Sequence, residues 1–267
     1  MNTEKMIVLV GLPRSGTTMA TAMFDVHPEI AAWFEPWNVR QDSDPKPYNS
    51  ISDFILQYKE VFQINIENKK ALMFKETTAH APALKWTEDS VENIKIENPN
   101  VEVKVIWLVR DINHAYLSRV HTARKHWGHP DMKIDTETFR SFVDFAYFGF
   151  QQIENLTKKN DSCILSYEKL VSDPKETMEK VMNFVGMEPH PNQFEYYKHF
   201  KTHKSAGDPE VSSSPKPIDP SKIEKRDEEW REHQDIFIES LNEQERKKYE
   251  EMMQVVSEIR EKGFMKI

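Results

Sequence analysis

Gly11-Leu-Pro-Arg-Ser-Gly-Thr-Thr18 lies between two segments of opposite character. Met6-Ile-Val-Leu-Val10 before it is a continuous apolar run with β-branched residues, the pattern of a strand buried on both faces of a parallel sheet. Thr17 to Val26 after it reads as a helix. A glycine-containing turn between strand and helix aims several backbone N–H groups at one point, where the helix N-terminus adds partial positive charge. The spacing from Gly11 to Gly16 is that of a Walker A loop, whose pattern then requires Lys followed by Ser or Thr. Thr17 stands where that Lys belongs.

The missing lysine changes the chemistry, because in a Walker loop it reaches the β- and γ-phosphates while the next hydroxyl holds Mg²⁺. A loop with Thr17-Thr18 and Arg14 inside the turn still cradles an anion, but it is poorly built for a nucleoside triphosphate with Mg²⁺. It resembles the 5′-phosphosulfate loop of sulfotransferases that use 3′-phosphoadenylyl sulfate as donor, commonly Pro-(Lys/Arg)-Ser-Gly-Thr-Thr. Pro13, Arg14, Ser15, Gly16, Thr17 and Thr18 match it at every position.

Two further segments follow in the family's order. Val103-Lys-Val-Ile-Trp-Leu-Val109 suits a central parallel strand, ends in Arg110-Asp111, and precedes a helix over Ile112 to His126. Arg110 thus stands at a strand's carboxyl end, the edge where open α/β sheets bind ligands. The family pattern of Leu-Val-Arg-Asp with a Ser eight residues after the Arg is reproduced by Leu108 to Asp111 and Ser118. The resemblance implies that Arg110 and Ser118 bind the donor's 3′-phosphate, a role suited to a planar guanidinium fork and a hydroxyl. The third segment, Cys163-Ile-Leu-Ser-Tyr-Glu-Lys-Leu-Val-Ser-Asp-Pro174, resembles the family's strand, Tyr-Glu-(Asp/Lys)-Leu and Asp-Pro. It implies that Tyr167, at the strand end, lies near the adenine. Asp173 and Pro174 fit the N-cap and first position of a helix over Lys175 to Val185.

Acceptor activation requires a base. Trp33-Phe-Glu-Pro-Trp37 puts Glu35 at the carboxyl end of a second strand, Ile30 to Phe34. Several carbohydrate and small-molecule sulfotransferases resemble this in having a Glu there as general base, and flanking aromatics would desolvate it toward useful basicity. Sulfotransferases acting on phenols and steroids instead use a His two residues after a Lys at the end of the third strand. Here Ala71-Leu-Met-Phe74 is followed by Lys75, but Thr77 occupies the His position, which favours Glu35 and leaves His80 as second candidate. Lys75 and Arg14 would stabilise charge on the transferring group and leaving phosphate, with no metal required. The family's 3′-phosphate pocket is usually closed by a late loop rich in basic and small residues, for which Ser212-Ser-Ser-Pro-Lys-Pro-Ile-Asp-Pro-Ser-Lys222 is the candidate, with Lys216 or Lys222 reaching the donor.

These motifs, with strands alternating with helices, point to an α/β fold of the three-layer P-loop type: a mainly parallel central sheet covered on both faces. At 267 residues and 38% hydrophobic, the chain fits one sulfotransferase domain over 1–267. A helix over Ile51 to Phe62, a long helix over Thr136 to Leu156 and two charged C-terminal helices complete it. Trp37, Tyr48, Trp86 and Trp127 lie in segments expected to build the acceptor pocket or to pack.

Lys and Arg total 36 against 44 Asp and Glu, a formal charge of −8, which gives no nucleic-acid footprint. No stretch approaches the roughly 18 apolar residues of a membrane span. The start of the chain lacks signal-peptide architecture, and its single cysteine, Cys163, permits neither an internal disulfide nor a cysteine-based metal site, so a cytoplasmic enzyme is expected. The expected reaction moves a sulfuryl group from 3′-phosphoadenylyl sulfate to a hydroxyl or amine of a carbohydrate or small metabolite. Two alternatives differ in class: a kinase or NTPase with a degenerate Walker loop, and a nucleotide-binding module without a working base.

Overall fold

Alternate apolar residues of the first strand, β1 (Lys5–Gly11), serve two different cores. Met6, Val8 and Val10 enter one and Ile7 and Leu9 the other, all fully buried. Since successive side chains point to opposite faces, a run apolar at every position belongs to a strand covered on both sides. The computed structural model, which describes residues 3–39, 46–78, 81–200, 208, 211 and 214–267, places β1 at the centre of a six-stranded sheet of order β2-β3-β1-β4-β5-β6. The other strands are β2 (Ile30–Phe34), β3 (Ala71–Thr77), β4 (Glu102–Val109), β5 (Asp161–Ser166) and β6 (Phe264–Lys266). All pairings are parallel except β5 with β6.

The helices divide between the faces. Helices α1 (Thr17–Asp25), α7 (Tyr167–Ser172) and α8 (Pro174–Val185) pack on the Ile7–Leu9 face. On the Met6–Val10 face lie α3 (Ile51–Phe62), α4 (Ala81–Glu97), α5 (Ile112–His126) and α6 (Thr136–Lys158). The short α2 (Pro36–Val39) directly follows β2. Local chemistry sets the helix ends. Asp111 accepts hydrogen bonds from the Asn113 and His114 N–H groups at the start of α5, Asp135 and Thr138 form a capping box for α6, and Asp173-Pro174 opens α8. Gly186, at φ 72°, ends α8.

The three-layer, mainly parallel architecture agrees with the sequence reading. Three details differ. Tyr167 is not left at a strand end but starts α7, because Ser166 accepts the Lys169 N–H as an N-cap. The C-terminal region contains three helices, Ser221–Arg231, Gln234–Ser240 and Glu243–Lys262, rather than two. The chain then turns at Gly263 into β6, which extends the sheet antiparallel to β5. Register brings the carboxyl ends of the parallel strands to one edge: Gly11 pairs with Thr77 and with Leu108, Phe34 with Lys75, and Val109 with Ser166.

Candidate active site

That edge forms the floor of a cleft of about 850 Å³. After β1 the chain turns through Leu12 to Gly16, closed by a hydrogen bond from Ser15 N–H to Leu12 C=O, and adopts left-handed backbone at Arg14 (φ 72°) and Gly16 (φ 87°). Gly16 is the N-cap of α1 and supplies no side-chain cap. The turn is tightly confined. A Cβ on Gly11 would stand 2.8 Å from Leu108 O, and one on Gly16 would stand 2.3 Å from the Tyr167 ring.

Arg110, 8% exposed, sits behind this turn. Its NH1 donates to Arg14 O at 2.7 Å, and its guanidinium lies 4.3 Å from the Tyr167 ring centroid. Its Nε is buried with no hydrogen-bond partner among the described residues. Asp111 is not its counter-ion but the cap of α5, bonded also to Glu168 through its own N–H. This carboxylate after the central strand is therefore engaged in helix capping, in contrast to the free Asp a Walker-type Mg²⁺ site requires. Arg14 extends the other way, with Nε 3.3 Å from Ser118 Oγ and NH2 2.7 Å from Asp208 Oδ2. The Asp208 N–H donates to Thr18 Oγ1 at 2.9 Å.

The parallel register of β2 with β3 joins the second group. Glu35, at φ 48° immediately after β2, donates its N–H to Lys75 C=O at 2.8 Å, and its carboxylate accepts a hydrogen bond from Lys75 Nζ. Lys75 is 1% exposed, so the ion pair is largely withdrawn from water, with Glu35 on the cleft side. On the opposite face of β3, the neighbouring Glu76 is fully buried. Desolvation, aided by the nearby Glu35 charge, pushes its carboxyl well above the usual carboxylate range, while Lys75 and the N–H groups of Thr77 and Trp37 oppose the rise. Sequence reasoning passed over Glu76, although strand alternation beside Lys75 points it into the apolar layer.

The cleft thus gathers Pro13, Arg14, Gly16, Thr17 and Thr18 with Glu35, Lys75, Arg110 and Tyr167, and the late segment contributes Lys216 and Lys222 to its wall. Ser15 and Ser118 are buried beside it, Ser118 in contact through Arg14. Thr77 also faces the cleft. His80 lies outside the described residues. Of the four aromatics, Trp37 and Trp127 line the cleft, whereas Tyr48 is fully buried and Trp86 packs against the same core. Cations line the cleft at Arg14, Lys75, Arg110, Arg119, Lys216 and Lys222, carboxylates at Glu35, Asp208 and Asp219. Six cationic side chains against three carboxylates thus gather at this cleft in a chain of formal charge −8. Among the described residues no cluster of three or more His, Cys, Asp or Glu is arranged to hold a metal, and no helix is long and apolar enough to cross a membrane.

A strand–turn–helix cradle at the carboxyl edge of a mainly parallel sheet is the arrangement of a P-loop-like α/β fold. The sulfotransferase domain family matches residues 4–257, and the chain belongs to that family of enzymes. Among solved structures it is similar to the sulfotransferase domain from the curacin biosynthetic pathway, at 16% identity and TM-score 0.55 over 82% of this chain and 89% of that one. It is also similar to the sulfotransferase domain of the Synechococcus PCC 7002 olefin synthase, at 16% identity and TM-score 0.54 over 85% and 88% of the two chains. At such identity the likeness extends to the fold. No curated protein matches the chain in sequence.

Proposed function

We propose that this sulfotransferase moves the sulfuryl group from 3′-phosphoadenylyl sulfate to a hydroxyl or amine of a carbohydrate or small-metabolite acceptor, releasing adenosine 3′,5′-bisphosphate. The observation that carries the donor reading is Arg110: a buried guanidinium with an unpartnered Nε, held over Tyr167 beside the Gly16 turn. A buried charged donor without a partner is costly, and a phosphate oxygen would relieve that cost. The residues present fit such a donor. Arg110 and Ser118 would take the 3′-phosphate, Tyr167 the adenine, and Arg14, Thr17, Thr18 and the turn amides the 5′-phosphosulfate.

Glu35 takes the acceptor proton as the acceptor oxygen or nitrogen bonds to sulfur and the bond from sulfur to the 5′-phosphate oxygen breaks in line. Lys75, already paired with Glu35, fixes that carboxylate and places a positive charge where negative charge grows on the leaving oxygen. His80 is the alternative base. Lys216 and Lys222 approach the donor from the late segment. No side chain in this scheme needs a metal, and a cytoplasmic setting agrees with a single buried cysteine, Cys163.

Calorimetric titration of adenosine 3′,5′-bisphosphate without metal, beside ATP with Mg²⁺, tests the reading. Metal-free binding that ATP does not match and that Arg110→Ala weakens at least about tenfold is expected. Preference for ATP with Mg²⁺, or an indifferent Arg110→Ala, would return the chain to the kinase alternative. Bisphosphate binding without turnover of any hydroxyl or amine acceptor would make it a binding module.

A further inference from the structure

Arg119 lines the cleft, yet it is not among the residues assigned above to the donor. It lies on α5 at the first position of a series with Ala123 and Trp127, spaced four residues apart and so on one helix face. That face walls a second cavity of about 520 Å³, shared with the cleft through Arg119 and Trp127. The chain after α5 folds back to form its far side. His129 N–H donates to Ala123 C=O at 3.1 Å, and Arg124 Nε donates to Met132 C=O at 2.5 Å.

The Arg119 guanidinium is 4.8 Å from the Phe145 ring centroid and, among the described residues, makes no hydrogen bond or ion pair. Asp131, on the cavity's outer loop, is exposed and does not pair with it. Burial holds the Arg119 pKa below its ordinary value, and among the described residues no neighbouring carboxylate offsets the desolvation. The other deeply placed arginines of the cleft have polar partners: Arg14 has Ser118 and Asp208, Arg110 has Arg14 O. A half-buried arginine on an aromatic ring, without an anion, at the junction of two cavities, is a site for an anion from outside.

Resting on the sulfotransferase reading, we propose that Arg119 recognises an anionic group of the acceptor: the substrate carries a carboxylate or phosphate apart from the hydroxyl or amine that receives the sulfuryl group. The acceptor's apolar part lies along Ala123, Trp127 and Met132, and its nucleophile reaches Glu35 in the adjoining cleft. Neutral sugars and simple alcohols would leave Arg119 desolvated and unpaired, so the same residue selects against them.

The test titrates decanoate, decyl phosphate and 1-decanol into the full chain saturated with adenosine 3′,5′-bisphosphate. At least one anion is expected to bind about tenfold or more tightly than 1-decanol, and Arg119→Gln to erase that preference. Arg119→Lys should retain part of it, and the tighter of the two anions identifies the acceptor's charged group. Arg119→Met serves if thermal melting finds Arg119→Gln unfolded. Equal binding of all three probes, binding of none, or a preference that survives loss of the Arg119 charge would overturn the proposal. Failure of the bisphosphate to bind the unaltered chain would instead overturn the donor reading, and the anion preference is then measured on the unloaded chain.

Discussion

Gly16 faces the ring of Tyr167 so closely that a Cβ on Gly16 would stand 2.3 Å from Tyr167 Cδ2. The same ring supports Arg110 from 4.3 Å, so the turn, the aromatic and the guanidinium share one packed unit. Gly16→Ala must move the ring or the turn and also places alanine at φ 87°. A destabilisation of about 1–3 kcal/mol is expected, with bisphosphate affinity reduced at least about tenfold. Adding Tyr167→Ala should recover part of the stability, by removing the clash, but none of the affinity. Thermal melting and calorimetry on both variants check this, and full donor affinity in Gly16→Ala would break the link between turn and ring.

Glu35 and Lys75 meet because β2 and β3 are parallel neighbours with Phe34 opposite Lys75. Glu35→Gln should lower kcat by about 10²–10⁴ while leaving bisphosphate affinity within about twofold. It also leaves Lys75, 1% exposed, without its carboxylate, at a cost of up to about 3 kcal/mol. Single-turnover rates measured below the melting transition separate the two effects. An unchanged rate with a working acceptor would transfer the role of base to another residue, with His80 the next to be replaced.

The contrast between these two sites explains what the sequence makes legible. The turn, β1 and the Arg110 strand are contiguous motifs whose geometry follows from local rules: both-face apolar runs, a glycine at positive φ, and a strand end. The Glu35–Lys75 pair is non-local, joining residues 40 positions apart through strand order, and sequence identifies its members without fixing their contact. Helix α7 has six residues and β6 three, too few for periodicity to register, and their form depends on a Ser166 cap and on pairing with β5. Tyr48 and Trp127 are equally aromatic in sequence. Packing sends one into the core and leaves the other, 42% exposed, at the junction of the two cavities.

Asp208 places a carboxylate 2.7 Å from Arg14 and its own N–H on Thr18, so it engages two loop residues assigned here to the donor's 5′-phosphosulfate. An incoming phosphosulfate must compete with that carboxylate for Arg14. Asp208→Ala should therefore tighten bisphosphate binding by about three- to tenfold, and less in high salt, because part of the gain is electrostatic. Isothermal titration at low and high ionic strength reads both. Weaker binding in the variant would mean that the Asp208 N–H contact to Thr18 orders the loop more than the carboxylate blocks it.

Burial of Glu76 predicts a pH-dependent contribution to folding stability at this end of the sheet. Fully buried between Lys75 and Thr77, with Oε1 unpartnered, it has a folded-state pKa raised well above its ordinary value of 4.5. The unfolded chain releases this proton near the ordinary value while the folded chain keeps it. The carboxyl's contribution to stability is thus fully present below about pH 4.5 and is lost as pH rises toward the folded pKa, by up to about 1.4 kcal/mol for each unit of that interval. Glu76→Gln removes the titration while keeping an oxygen to accept from the Thr77 and Trp37 N–H groups. The variant should be more stable than the parent chain at pH 7, and the difference should shrink steadily as pH falls toward 4.5. Denaturant unfolding at several pH values decides it. A gap that is constant with pH would mean that Glu76 titrates alike in both states, and a gap that widens on acidification would reverse the sign.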